Sequence, residues 1–319
     1  MSGETVRKIE EGLRQKRRVE EFSLDLDHIG PGEKRRLYEM MFRHGPGNGK
    51  MMFLPIDQGL EHGPGDFFPN PPSLDFEYQL SLAEEGGYSG IVCHIGLAER
   101  HFKKYAGKVP LILKLNGKTN IPSDEEAFSP MDAEVEDAVK LGADAIGYTL
   151  YVGSPRQDDD FVQFMEVRRE ARRLGMPVIM WAYPRGEFTD RVHGGNSSLA
   201  MVDYAARVAN ELGATLVKLN LPQKPRNNKY DPEGPFKRYN DCVDMSLIDQ
   251  MRMVVNSVGR CGVLVSGGSK ISDEDLLDKA RLCLDAGVDG LIFGRNMWQR
   301  KYEDALKMTQ EIKELMLKY

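Results

Sequence analysis

A rhythm of short apolar runs, each followed by a helix-like stretch that stops at glycine, constrains this chain more than any other feature. The runs fall at 51–57, 89–95, 110–116, 145–152, 177–184, 215–221, 262–268 and 290–295. Amphipathic stretches at 132–141, 161–174, 198–212 and 273–286 lie between them, and Gly142, Gly175, Gly213 and Gly287 follow their ends. Glycine ends a helix because it takes positive φ without a Cβ clash. Strands that alternate with helices must pair in parallel through crossovers. Eight such units over about 250 residues predict an α/β fold, a (β/α)8 TIM barrel. An open doubly wound sheet would carry a G-x-G-x-x-G turn after its first strand. The glycines after Asp57 lack that spacing, and no helix is expected promptly after them. Residues 1–50 read as a helical N-terminal extension and 51–319 as the barrel.

Strand side chains alternate between faces. Phe53, Pro55 and Asp57 therefore share one face, as do Ile112, Lys114 and Asn116, then Ile179, Trp181 and Tyr183, then Leu216, Lys218 and Asn220. The opposite faces are wholly apolar and suit packing against helices. The mixed faces must point into the barrel, and their late polar members collect at its C-terminal mouth, where barrel enzymes keep their chemistry. A buried charge there is unfavourable unless it is paired or its pKa shifts. A Lys114–Asp57 ion pair of purely structural value is the plainer alternative for those two residues.

A confined lysine beside other cations loses its proton near neutral pH and attacks carbonyls to form a Schiff base. Lys218 fits that role, with Lys114 as the like-charge neighbour. Tyr183 and Asp57 are the candidate acid/base groups. After the seventh and eighth strands come Ser266-Gly267-Gly268 and Gly294-Arg295, at the habitual phosphate site of the fold. The segment 222–241 reads as a lid, a surface excursion or a subunit contact.

Composition narrows the remaining choices. A net charge of −6 gives no support to nucleic-acid binding. No apolar run approaches the roughly 18–20 residues of a membrane span, and the charged N-terminus is not followed by a signal-like apolar segment. Four scattered cysteines without C-x-x-C argue against a zinc ribbon and fit reduced thiols in a cytoplasmic protein. Lys16-Arg17-Arg18 and Lys34-Arg35-Arg36 read as solvated helix faces. The turn Gly45–Lys50 is a failed P-loop, because His44 and Met51 stand at two of its required positions. His62, His94 and His193 lack ligand-like spacing, which disfavours a metal-dependent mechanism.

Six segments in order carry a family resemblance: PIDQGLEHGPGDF, LILKLNGKT, MWAYPRG, TLVKLN, SGGSK and FGRNMWQR. They resemble the archaeal-type class I fructose-bisphosphate aldolases, which also occur in bacteria. The resemblance implies cleavage of fructose 1,6-bisphosphate, without metal or cofactor, into dihydroxyacetone phosphate and glyceraldehyde 3-phosphate. It places the Schiff base on Lys218, the acid/base tyrosine at Tyr183, the strand-one aspartate at Asp57 and the tryptophan near the imine at Trp181. It places phosphate binding at Ser266, Gly267, Gly268, Gly294 and Arg295, with Lys114 beside the substrate. It also implies a large homo-oligomer in the cytoplasm, with a sugar phosphate as partner and neither nucleic acid nor membrane. Gln58 departs from a family preference for histidine at that position. The alternatives are a related Schiff-base transferase or synthase, thiolase-like or transaldolase-like, and a non-catalytic phosphosugar-binding barrel.

Overall fold

The computed structural model describes residues 26–319. Eight parallel strands close into a barrel in sequence order, β1 pairing with both β2 and β8. They are β1 (Met51–Pro55), β2 (Gly90–His94), β3 (Leu111–Lys114), β4 (Ala145–Val152), β5 (Val178–Pro184), β6 (Leu216–Leu219), β7 (Gly262–Ser266) and β8 (Gly290–Ile292). A helix α1 (Pro31–Tyr38) precedes them. The crossovers carry α2 (Phe76–Gly86), α3 (Ile95–His101), α4 (Val135–Lys140), α5 (Gln157–Leu174), α6 (Leu199–Leu212), α7 (Leu247–Ser257) and α8 (Asp273–Asp285). The chain closes with α9 (Tyr302–Met316). All eight apolar runs became strands, and the barrel expectation holds. Among the described residues no helix is long and apolar enough to cross a membrane.

Two details differ from the expectation. Gln58–Glu61 forms one helical turn immediately after Asp57, where no helix was expected. Asn116 lies beyond the end of β3. Its side chain binds the Thr149 amide at 2.7 Å and the Thr149 carbonyl at 2.8 Å, so it splices β3 to β4 instead of facing the mouth. The glycine stops do occur where expected: Gly175 and Gly213 cap α5 and α6 at φ 64° and 87°.

The alternation of faces sorts the core into two compartments. Leu54, Leu113, Met180 and Val217 point outward and pack under the helix ring. Phe53, Ile112, Ile179, Leu216 and their neighbours fill the interior. That inner cluster continues downward into Leu26, Leu37, Met40 and Met41, all buried. The segment just before β1 therefore plugs the barrel floor. Arg36, on α1, donates to the Gly175 carbonyl at 3.0 Å and ties the plug to the end of α5. Of the two basic runs expected on solvated faces, residues 16–18 lie outside the described residues. The Lys34 ammonium meets Asp27 at 3.0 Å on the surface.

Candidate active site

The upper half of the barrel carries charge. Register sets Lys114 beside Gly147 and Trp181 beside Lys218 on neighbouring strands. Gly147 is required here, since a Cβ would sit 2.9 Å from the Trp181 ring and 3.0 Å from Lys114 Cδ. Both ammonium groups make a cation–π contact with the Trp181 ring, each Nζ 4.8 Å from its centroid. Lys114 is fully buried; its Nζ donates to Glu61 Oε1 at 2.6 Å and approaches Asp57 Oδ2 at 3.5 Å. Lys114 and Trp181 thus form the floor, beneath the open cavity rather than on its wall.

That cavity, of about 240 Å³, is lined by Asp57, Glu61, Tyr183, Lys218 and the ends of β7 and β8. Lys218 is 5% exposed. Burial pushes its ammonium down to about 8; Asp57 and Glu61 oppose that, while Lys114 and Arg295 reinforce it. Burial alone would raise Asp57, but Lys218, Lys114 and His94 hold its carboxyl down at about 2. The Tyr183 phenol is pushed well up, by burial first and then by Asp57 and Glu61. The site therefore holds an amine near its titration point, an ionised carboxylate and a protonated phenol. Perturbed groups of this kind, gathered in a cleft, mark catalytic sites.

One end of the cavity is built from the phosphate-loop candidates. Ser266, Gly267, Gly268, Gly294 and Arg295 all line it. The Ser266 hydroxyl donates to Asn220 at 2.6 Å. Lys279 and the Asn296 amide hold the Gly267 carbonyl from behind, at 3.0 and 3.3 Å. A Cβ at Gly267 would meet Asn296 Nδ2 at 2.9 Å, so only glycine allows this packing. Arg295 is steadied by Asp66 at 3.6 Å, which also meets His62 at 3.4 Å.

The opposite end was not singled out in the sequence. Asp124 holds Lys118 at 2.8 Å and Arg185 at 2.9 Å, and all three line the cavity. Arg185 also lies 5.4 Å from the Tyr183 ring. Glu61 and Tyr151 are two further residues that the sequence reading passed over. Glu61 stands four residues after Asp57, one helical turn on. Tyr151 is the register partner of Tyr183, and burial, then the Glu61 charge, pushes its phenol up to about 12. Alternation along β4 was the available signal for Tyr151. The 222–241 segment packs beside α6, where Tyr230 accepts from the Ala200 amide at 3.0 Å and Tyr239 donates to Asp203 at 2.6 Å. None of its residues lines the cavity.

The family model of DeoC/LacD family aldolases matches residues 51–300, which takes in all eight strands. The chain belongs to that family. It is 38% identical to the class 1 fructose-bisphosphate aldolase of Thermoproteus tenax, over 84% of this chain and 90% of that protein. It is 31% identical to a probable class 1 fructose-bisphosphate aldolase of Chlamydia muridarum, over 88% and 84% of the two chains. Among solved structures, one is an archaeal fructose-1,6-bisphosphate aldolase with its catalytic lysine covalently bound to the carbinolamine intermediate of the substrate. It superposes with a TM-score of 0.73 at 37% identity, covering 88% of this chain and 99% of that one. Family membership extends to both archaeal and bacterial relatives, as the six motifs implied.

Proposed function

We propose that the protein is a class I fructose-bisphosphate aldolase, cleaving the sugar bisphosphate reversibly into dihydroxyacetone phosphate and glyceraldehyde 3-phosphate. The observation that carries this reading is a buried Lys218 amine, depressed to about 8, set over Trp181 between two cationic ends. The ends suit a ligand with a phosphate at each terminus: Arg295 with the β7 and β8 turns for one, Lys118 and Arg185 for the other.

Each step has a group in the right charge state. The neutral Lys218 amine attacks the C2 carbonyl, forming a carbinolamine. Tyr183, kept protonated by burial, donates to the departing hydroxyl, which leaves as water and yields the iminium. The resulting phenolate accepts the C4 hydroxyl proton as the C3–C4 bond breaks. That electron pair passes into the iminium and gives an enamine, while C4 leaves as the aldehyde. Protonation at C3 and hydrolysis then release the ketose phosphate and restore the lysine. Asp57, ionised throughout, balances the positive charge that rises on the Lys218 nitrogen. Phosphorylated substrates and four free thiols suit a cytoplasmic enzyme of sugar-phosphate metabolism acting as a homo-oligomer.

Borohydride reduction with dihydroxyacetone phosphate, followed by intact-mass analysis and peptide mapping, tests the reading. One covalent adduct on Lys218 is the expected result. A folded protein with no adduct, or with the adduct on Lys114, overturns it.

A further inference from the structure

A second cavity, of about 500 Å³, lies on the other side of the turn that Asp57 opens and Glu61 closes. The turn Gln58–Glu61 is a shared wall. Asp57, Gln58 and Glu61 face the catalytic cavity, while Gly59 and Leu60 face the second one. The start of the β3–α4 loop is the other common boundary. A Cβ at Gly117 would meet His94 Cε1 at 2.8 Å and Leu60 Cδ2 at 2.9 Å, and the next residue, Lys118, lines the catalytic cavity.

The lining is that of a small-molecule site: apolar walls with a few convergent polar groups. Leu60, Phe67, Phe76 and Leu97 supply the walls. Gln79 is 1% exposed, and its Oε1 has no hydrogen-bond partner. His94 is 8% exposed; its Nδ1 lies 2.6 Å from Asp132, an ion-pair contact off the line of a good hydrogen bond, and its Nε2 has no partner. Polar groups this deeply buried and unpaired are unfavourable unless something satisfies them. Arg100 sits at the rim and has no counter-charge among the described residues. Asp132 lies against His94, and the permanent cation of the lining is the Arg100 guanidinium.

We propose that this cavity is a second ligand site that takes an apolar monocarboxylate. The carboxylate pairs with Arg100, and the apolar body lies against Leu60, Phe67 and Phe76. A dianion is disfavoured because Asp132 shares the cavity. Occupancy presses on Leu60 and Gly59, and through the same turn it moves Glu61 and its contact with Lys114. This last step rests on the aldolase reading; the binding itself does not.

The test is calorimetric titration of 3-phenylpropionate into the full-length enzyme, before and after borohydride blocking of Lys218 with dihydroxyacetone phosphate. Two variants accompany it: Arg100→Gln, and Gly96→Leu, which grows a side chain into open space on the cavity wall. Binding is expected in wild type, blocked or not. It weakens by about tenfold or more in R100Q, and likewise for the uncharged 3-phenylpropanamide. G96L abolishes it. Both variants keep basal turnover, and saturating probe alters wild-type turnover but not that of G96L. Failure to bind at millimolar probe overturns the site, as does binding indifferent to both substitutions. A G96L enzyme that sediments at a changed mass would assign the cavity to a subunit contact and overturn it as well. Binding without any effect on turnover would remove the coupling, with the borohydride result showing whether the aldolase reading still stands.

Discussion

At the level of single residues, the chemistry depends on how far Lys218 is held from its ordinary charge state. Burial lowers it to about 8, so the free amine grows as pH rises toward that value. The cleavage kcat/KM is therefore expected to rise with pH through about 8 and then level off, a profile read from initial rates. Lys114 depresses Lys218 further, and it also neutralises Glu61 and Asp57. Lys114→Met removes both effects. The midpoint of the profile should move above its wild-type position, and urea melts should show a loss of roughly 3–5 kcal/mol, typical of a broken buried ion pair. An unchanged profile would show that Lys114 does not set the nucleophile's charge.

At the level of elements, each strand divides its labour by parity, and that parity was readable from sequence. The inward sets on β1, β3, β5 and β6 followed from period-two spacing because outward positions in such a barrel face helices and tolerate only apolar groups. Lys218, Tyr183, Asp57 and Trp181 were legible for that reason. Asn116 misled, because strand pairing stops at Lys114 and the side chain then serves backbone groups. Glu61 was illegible because it lies on a turn, where no period marks it. Lys118, Asp124 and Arg185 converge from two separate loops, so only folding shows their pairing. The floor plug was equally hidden, since α1 reads as a polar, charged segment with Leu37 as its buried apolar anchor. Leu37→Ala is expected to lower stability by roughly 2–5 kcal/mol in a thermal or urea melt. Below the melt, kcat should stay near wild type, because the plug lies at the opposite end of the barrel from the mouth.

At the level of the whole molecule, the barrel formed by the described residues is closed at its base and open at its mouth. Leu26, Leu37, Met40 and Met41 close its base, and Lys114 with Trp181 closes the space beneath the reacting amine. Whatever enters must leave by the way it came. In the proposed mechanism the ketose fragment stays bonded to Lys218 as the enamine after cleavage, while no covalent bond holds the aldehyde fragment. The aldehyde must depart first. Dihydroxyacetone phosphate is thus expected to inhibit cleavage competitively against the bisphosphate, and glyceraldehyde 3-phosphate noncompetitively, in steady-state product-inhibition plots. The same blind end works in reverse during synthesis. The ketose phosphate must load before the aldehyde arrives, so an aldehyde that comes early can only block the doorway.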